Sequence, residues 1–292
     1  MAGLAVFPAR RRGPFSGRGA GGLHPVASGA DLDRLSASLA APVLAARRIG
    51  VVGLRGGAGR TTVAVLAAAL LARARRDPVL LFDADPAFGS LSLRSGALVA
   101  ATVPDLAAAG DPGRFDVLAG ALGRTRDGAW VLPSGRDPEQ SAALDAEVYV
   151  SAMNAVYRHV PVMVTDCGTG LTGPLVQRVV SGCHSLVLPT RPTVDGVLAV
   201  HTVLRWLHAH RWEALARRSI VALVDVPPDG AAIDVAEAGR RFAGLAGDVV
   251  WVPSDRHLAS GSVIELDALA PDTRAAATAL TAAAFGAALE VG

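Results

Sequence analysis

Short apolar runs alternate with longer alanine- and leucine-rich stretches along most of this chain. Each apolar run is of the length expected for a buried strand, and the runs cover residues 49–54, 79–82, 160–165, 186–188, 220–224 and 248–252. Helical patterns cover residues 62–74, 194–210 and 271–289. Buried strands that alternate with helices predict an α/β fold, in which a mainly parallel twisted sheet carries helices on both faces.

The two ends of this pattern predict the domain organisation. Residues 1–30 are rich in Gly, Arg, Pro and Ser without periodicity, which predicts a disordered tail. A single domain is expected over residues 31–292, with a helical lead-in at 31–48. Between residues 100 and 150 Gly, Asp and Pro are frequent, and only residues 129–133 suggest an additional strand.

The composition excludes several classes of protein for this chain. Of the 292 residues, 51% are hydrophobic and 18% are charged, which excludes wholesale disorder, and the formal net charge is only +2. The longest weakly polar run, residues 275–289, is shorter than the roughly 20 apolar residues of a membrane span. We therefore expect a cytoplasmic protein without stable membrane insertion. All 28 basic residues are arginines.

A glycine-rich segment lies between the first predicted strand and the first long helix. Glycines let backbone N–H groups converge on phosphate oxygens, and the following helix directs the positive end of its dipole at the same anion. The hydroxyl of Thr61 suits Mg²⁺, and the cation of Arg60 can reach outer phosphates. The segment predicts an ATP- and Mg²⁺-binding loop that comprises Arg55, Gly56, Gly57, Ala58, Gly59, Arg60, Thr61 and Thr62.

Two other interpretations of this loop are weaker. A glycine turn could simply join a strand to a helix. A dinucleotide-binding loop has the pattern G-x-G-x-x-G, but Gly57-Ala58-Gly59 is followed here by Arg60-Thr61-Thr62.

The loop resembles the deviant Walker A motif, xKGGxGKTT, of the MinD/ParA family of P-loop ATPases, and the resemblance extends over roughly residues 44–290. It implies a nucleotide-sandwich homodimer in which the first basic residue, here Arg55, crosses to the phosphates of the partner subunit. The second basic residue, here Arg60, stands at the position of the P-loop lysine. Both family lysines are therefore replaced by arginine, whose wide planar fork differs from a compact ammonium group.

Aspartates follow two of the predicted strands. Asp83 and Asp85 lie at the position of the DxD motif in the family, and the resemblance implies that Asp85 orients the attacking water while Asp83 lies near the metal. Asp166 ends a strand of the Walker B form and would hold Mg²⁺. The residues after it, 167–170, resemble a switch loop. Pro253 and Asp255 match a loop that often contacts adenine in the family, although a plain turn is an equally good interpretation.

The segment from Leu188 to Trp206 resembles MinD-like ATPases associated with type VII (ESX) secretion in actinobacteria. It contains Pro-Thr-Arg-Pro-Thr-Val-Asp-Gly and Leu-Arg-Trp-Leu, and the stretches 255–258 and 264–267 add to the likeness. The resemblance implies a switch that positions or regulates a partner protein. Secretion machinery is a candidate for that partner, and the protein would then be recruited peripherally to membrane-bound machinery.

Two alternative functions remain open at the level of the sequence. The first is a pseudo-ATPase that serves as a nucleotide-bound scaffold, which the replacement of the P-loop lysine by Arg60 would favour. A ParA-type DNA-partitioning ATPase would need a basic patch, for which the candidates are Arg217, Arg218, Arg240 and Arg241. The arginines of the tail could touch DNA or anionic lipid only weakly.

Overall fold

The computed structural model describes residues 29–226 and 233–291. The predicted disordered tail lies outside this range, except for its last two residues, which begin the first helix. That helix ends at Ser38, so the predicted lead-in of 31–48 is wrong in its second half. Residues 39–46 contain no helix, consistent with Pro42, because the residue before a proline is driven out of the helical region.

The elements of the described residues alternate between strands and helices over most of the chain. The strands are β1 (Arg47–Gly53), β2 (Val79–Ala84), β3 (Gly123–Arg124), β4 (Trp130–Leu132), β5 (Val162–Thr169), β6 (Ser185–Thr190), β7 (Ser219–Val224) and β8 (Asp248–Val252). The helices are α1 (Gly29–Ser38), α2 (Arg60–Ala74), α3 (Leu91–Ser95), α4 (Val103–Ala109), α5 (Phe115–Ala121), α6 (Pro138–Ala142), α7 (Ala146–Val156), α8 (Pro174–Ser181), α9 (Val194–Ala209), α10 (Glu213–Arg217), α11 (Val235–Phe242), α12 (Arg256–Ala259) and α13 (Pro271–Leu289).

All eight of these strands form one sheet, in the order β3-β4-β2-β5-β1-β6-β7-β8. Every pairing is parallel except that of β3 with β4, which is antiparallel. The central strand β1 pairs with β5 on one side and β6 on the other. The chain therefore leaves β1 at a point where the strand order reverses, which is where ligands bind in open parallel sheets.

Helices cover both faces of the sheet, as predicted. Along β1, Ile49 and Val51 face a core that α2 and α13 complete, while Val52 faces the opposite core. Alternation between two buried faces explains why the central strands are almost continuously apolar. The second core is built largely from α4, α7, α8 and α9.

Residues 100–150, whose sequence pattern predicts little beyond one strand, extend the sheet at one edge. Helices α4 and α5 precede β3 and β4 along the chain, α6 and α7 follow them, and the suggested strand at 129–133 is confirmed as β4. Helix α4 begins with a capping box, in which Thr102 and Asp105 bond reciprocally to backbone N–H groups. Among the described residues, no helix is both long and apolar enough to cross a bilayer.

Candidate nucleotide-binding site

The glycine-rich loop occupies the carboxyl end of β1 and leads directly into α2. Gly59 is the N-cap of α2 and has φ = 85°, a left-handed conformation that favours glycine. It offers no side-chain cap, so the first N–H groups of a 15-residue helix are not capped by that side chain. This end of α2 is suited to bind a phosphate group.

Arg60 points toward the carboxyl ends of the neighbouring strands. Its Nη1 donates to the carbonyl oxygen of Cys167 at 3.0 Å, and its Nη2 lies 3.7 Å from Oδ2 of Asp85. Only 12% of the side chain is exposed. The guanidinium group therefore already has protein partners at the place where the family resemblance puts a phosphate-binding lysine.

Three carboxylates meet at the carboxyl ends of β2 and β5. Asp83 and Asp166 are register partners on the two adjacent strands, and both are buried. Asp83 accepts hydrogen bonds from the Ser134 hydroxyl at 3.1 Å and the backbone N–H of Asp85 at 3.0 Å. Asp85 follows β2 and comes near Arg60. The structure thus brings together the acidic residues that the sequence predicted for this site.

Burial dominates the electrostatics of the two inner carboxyl groups. It raises the pKa of Asp83 to about 6, against the opposing effect of the hydrogen bonds from Asp85 and Ser134. Burial and the neighbouring charge of Asp83 raise the pKa of Asp166 to about 7, while Thr61 and Arg60 act in the lowering direction. When both are ionised, the carboxylates of Asp83 and Asp166, which are paired on adjacent strands, repel each other. The site therefore favours a cation that compensates their charge.

One buried oxygen of this pair is left without a partner by the residues that the structure describes. Oδ1 of Asp166 is excluded from solvent and accepts no hydrogen bond among the described residues. Thr61 lies close enough to Asp166 to influence its pKa. A hydroxyl and carboxylate oxygens are ligands that Mg²⁺ takes together with water and substrate phosphates. The residues present therefore fit a Mg²⁺ ion that a nucleotide helps to bind.

The segment after Asp166 differs from its predicted form. Strand β5 continues to Thr169, so Cys167 and Gly168 belong to the strand and the predicted switch loop begins later. A Cβ at Gly168 would lie 3.1 Å from Oδ1 of Asp85 and 3.3 Å from Cδ of Pro86. The absence of a side chain at this position lets the backbone of β5 approach Asp85 closely.

Arg55 lies at the outer side of the loop and contacts α9. Its Nη1 lies 2.6 Å from Oδ2 of Asp195, and both side chains are about three-fifths exposed, at 61% and 59%. Asp195 also accepts a hydrogen bond from the Thr193 hydroxyl at 2.6 Å. Arg55 is therefore paired with an acid of its own chain.

A cavity of about 340 Å³ opens beside the loop and α2. Its other walls come from the carboxyl ends of β6 to β8 and from α3 and α12, and they include Ser90, Arg94, Arg191, Val224, Asp225, Val226, Pro253, Asp255, Leu258 and Ala259. The predicted residues Pro253 and Asp255 do border this cavity. The carboxylate of Asp255, however, accepts backbone hydrogen bonds from His257, Leu258 and Ala270, so it also organises its own turn.

Sequence reasoning missed several residues of the cavity wall. Arg191 and Asp225 directly follow β6 and β7, so the rule that ligands bind at strand ends could have identified them. Arg94 belongs to α3 and donates to the carbonyl oxygen of Leu258 at 3.2 Å. No local sequence pattern marks Arg94, because tertiary packing alone brings it to the site.

The four arginines that suggested a DNA-binding patch have partners within the chain. Arg217 pairs with Glu213, while Arg240 and Arg241 share Glu237. Arg218 donates to the carbonyl oxygen of His184 at 2.8 Å. The acidic partners reduce the positive charge that this surface offers to a polyanion.

The fold is that of ParA/MinD-type P-loop proteins, as the resemblance in the sequence predicted. A ParA family ATPase from Chlorobium tepidum TLS superposes with a TM-score of 0.68 at 18% identity, over 81% of this chain and 98% of that chain. MinD from Pyrococcus horikoshii OT3, solved with Mg-ADP, gives a TM-score of 0.60 at 22% identity, over 81% and 94% of the two chains. At such identities, these likenesses establish the fold.

The sequence relatives are more specific. The chain is 33% identical over 230 residues to the ESX-1 secretion-associated protein EspI of Mycobacterium tuberculosis, in strains CDC 1551 and H37Rv. The match covers 77% of this chain and 34% of EspI, so the chain spans about a third of the length of these curated relatives. No family model matches the chain. The predicted likeness to proteins associated with ESX secretion is thereby confirmed.

Proposed function

We propose that this chain is a switch that binds ATP with Mg²⁺, hydrolyses it, and as an ATP-bound homodimer positions or regulates a protein partner of a secretion apparatus. The observation that carries the proposal is the arrangement of Arg60, Asp85 and Asp166 around the uncapped N-terminus of α2. The likeness to EspI supports secretion as the process.

The roles of the residues follow from their positions. The N–H groups at the start of α2 bind phosphate oxygens, and Thr61 and Asp166 would hold Mg²⁺, which neutralises charge on the phosphates. Asp85 accepts the hydrogen bond of a water and orients it toward the outer phosphate. The buried Asp83 supports this arrangement by fixing the backbone N–H of Asp85.

Dimer formation would change the partner of Arg55. In one subunit it pairs with Asp195, on an exposed surface beside the loop. We propose that in the ATP-bound dimer Arg55 exchanges this carboxylate for phosphate oxygens of the nucleotide in the partner subunit. An exposed ion pair contributes only about 0–1 kcal/mol, so this exchange has a small cost.

Replacing Asp166 tests the proposal, because function and stability should respond in opposite directions. Asp166→Asn keeps the shape of the side chain and removes a buried charge beside Asp83. We expect a thermal unfolding midpoint at or above that of the wild type without nucleotide, and loss of the Mg²⁺ dependence of ATP binding measured by calorimetry.

A matched control for this experiment is Asp116→Asn, which removes an exposed carboxylate on the distant helix α5. It should leave both the unfolding midpoint and the Mg²⁺-dependent binding of ATP close to wild type. Failure of the wild-type protein to bind ATP, or Mg²⁺-dependent binding that persists in Asp166→Asn, would contradict the proposal.

A second candidate function is a nucleotide-bound scaffold without turnover. The contacts of Arg60 with Cys167 and Asp85 favour it, since a guanidinium group that holds the water-orienting carboxylate opposes hydrolysis. This candidate predicts the same nucleotide binding and the same dimer, and differs only in the absence of hydrolysis.

A further inference from the structure

A second group of basic side chains lies at the end of the sheet opposite the nucleotide loop. Arg47 and Arg48 are the first two residues of β1, His184 directly precedes β6, and Arg218 directly precedes β7. Because β1, β6 and β7 are adjacent and parallel, the starts of these strands share one edge. This edge is remote from the carboxyl ends that carry the nucleotide site.

Hydrogen bonds hold His184 in the middle of this group. Its backbone N–H donates to the carbonyl oxygen of Arg48 at 2.8 Å, and its Nδ1 accepts from the backbone N–H of Arg48 at 3.0 Å. Nε of Arg218 donates to the carbonyl oxygen of His184 at 2.8 Å. Since Nδ1 accepts, the proton of the neutral ring is on Nε2, which is left as a donor.

In the described part of the chain, no ion pair with an acidic side chain offsets the positive charge of this group. Across residues 29–226 and 233–291, no carboxylate lies within ion-pair distance of Arg47, Arg48 or Arg218, whereas 12 of the other 21 arginines in these ranges have such a partner. The Nε atoms of Arg47 and Arg48 are buried and have no acceptor among the described residues. Arg47 itself is only 9% exposed.

The protonation of His184 reflects the same excess of positive charge. Burial, followed by the charges of Arg48, Arg47 and Arg218, lowers the pKa of His184 to about 4. The imidazole is therefore a neutral donor at pH 7 that lies among three guanidinium groups. Every side chain of this group can donate hydrogen bonds, and the only acceptor among them, Nδ1, is already used.

We propose that Arg48, His184 and Arg218 form a second anion site, which binds a compact oxyanion such as a phosphate or a carboxylate. Arginine presents parallel N–H groups that match the oxygens of either group, and Nε2–H of His184 supplies a further donor. Arg47 contributes positive charge from the interior, because its own Nη atoms bond to backbone carbonyl oxygens that include that of Val291. The site is independent of the nucleotide loop.

Binding at this site would be coupled to the protonation of His184. An anion beside the ring offsets the charges of the arginines and favours the imidazolium form, so occupation raises the pKa of His184. The ring is thus an internal reporter at the site itself, and it lies at the far end of the sheet from any phosphate bound at the loop.

The test follows the Cε1–H resonance of His184 by NMR in the full chain at pH 5, above the pKa of about 4 of the free site, where a rise in that pKa protonates a large fraction of the rings; the resonance is assigned by His184→Asn. Inorganic phosphate and, separately, acetate are titrated at constant ionic strength against chloride. We expect a saturable shift toward the imidazolium position, with half-saturation at about 1–10 mM, and a roughly tenfold weaker response in Arg218→Gln.

Two further variants separate anion binding at this site from a general effect of removing an arginine. Arg48→Gln should weaken the response as Arg218→Gln does, so a folding defect in one variant leaves the other informative. Arg114→Gln removes an exposed arginine beside α5, whose Phe115 packs against Trp130 of β4, three strands away from β1 in the sheet, and this variant should respond like the wild type. Saturation by phosphate alone, or by acetate alone, identifies the oxyanion. The absence of saturation by both anions, or equal responses in Arg218→Gln and Arg114→Gln, would overturn the proposal.

Discussion

At position 60, an arginine and a lysine differ in the protein groups that they can contact besides a phosphate. The guanidinium group of Arg60 spans the carbonyl oxygen of Cys167 and the carboxylate of Asp85, and the stem of the side chain packs against Gly53, where an added Cβ would lie 3.1 Å from Cδ. A lysine ammonium is a compact point charge that cannot span two such partners in the same way. The substitution therefore alters Asp85 as well as the phosphate contact.

At the scale of this residue, we expect Arg60→Lys to increase the rate of ATP hydrolysis, on the order of tenfold, which is the effect of one charge-assisted hydrogen bond on a barrier. The lysine would leave Asp85 free to orient water. Steady-state turnover at saturating ATP measures this effect.

The same substitution at Arg114, which is remote from the site, should leave turnover unchanged and serves as the control for Arg60→Lys. A fall in turnover in Arg60→Lys would show instead that arginine is the adapted phosphate ligand of this protein.

The elements that periodicity defines best are those that the sequence predicted most closely. Helix α13 and strand β8 begin and end at the predicted residues, because a proline starts the helix, and Gly247 and Pro253 flank the strand. The central strands are longer than predicted: β2 and β5 run past Phe82 and Thr165 through Asp83 and Asp166. A charged residue usually ends a buried strand, but here both carboxylates stay in the sheet, where the binding site is.

The surroundings of the site were less predictable. The loop and the aspartates have local patterns, so their positions followed from the sequence. The partners of Arg55 and Arg60 come from residues more than 20 positions away and depend on packing between β5, α9 and the loop. The helices around β3 and β4 are short, and stretches of five to seven residues carry little periodicity.

At the scale of an element, two glycines of the loop provide a matched comparison. Gly57 and Gly59 both have positive φ, at 72° and 85°. A Cβ at Gly59 would lie 3.2 Å from Cγ1 of Val224, whereas one at Gly57 would meet nothing within 4 Å. Both substitutions to alanine carry backbone strain of about 1–2 kcal/mol, and the contact with Val224 adds to the cost at Gly59.

We therefore expect Gly59→Ala to lower the free energy of unfolding by about 1 kcal/mol more than Gly57→Ala does. Denaturant midpoints of the two variants measure this difference. Equal losses in both variants would show that Val224 moves freely, and would contradict the close packing of β7 against the loop.

The whole molecule combines a mainly parallel sheet with an exposed ion pair, Arg55–Asp195, on the face that a second subunit would cover in the proposed dimer. Removing the pair by Asp195→Asn leaves Arg55 free to cross to a partner. Because each exposed pair contributes at most about 1 kcal/mol and a symmetric dimer exchanges two of them, we expect up to a roughly thirtyfold lower concentration of protein at half-dimerisation with ATP.

Analytical ultracentrifugation with ATP and Mg²⁺ measures the effect of Asp195→Asn. Asp116→Asn is again the control, since it removes an exposed acid far from Arg55. Weaker dimerisation in Asp195→Asn would indicate that Asp195 itself contributes to the dimer, and would contradict an exchange of partners by Arg55.

The central claim is that this chain is an ATP-driven switch, and the most direct measurement compares ATP turnover and dimerisation in the wild type and Asp85→Ala. The claim predicts measurable Mg²⁺-dependent hydrolysis in the wild type. In Asp85→Ala hydrolysis should be lost while ATP still binds, so that the variant accumulates as an ATP-bound dimer. Unchanged turnover in Asp85→Ala, or a wild type that neither hydrolyses ATP nor dimerises with it, would contradict the claim.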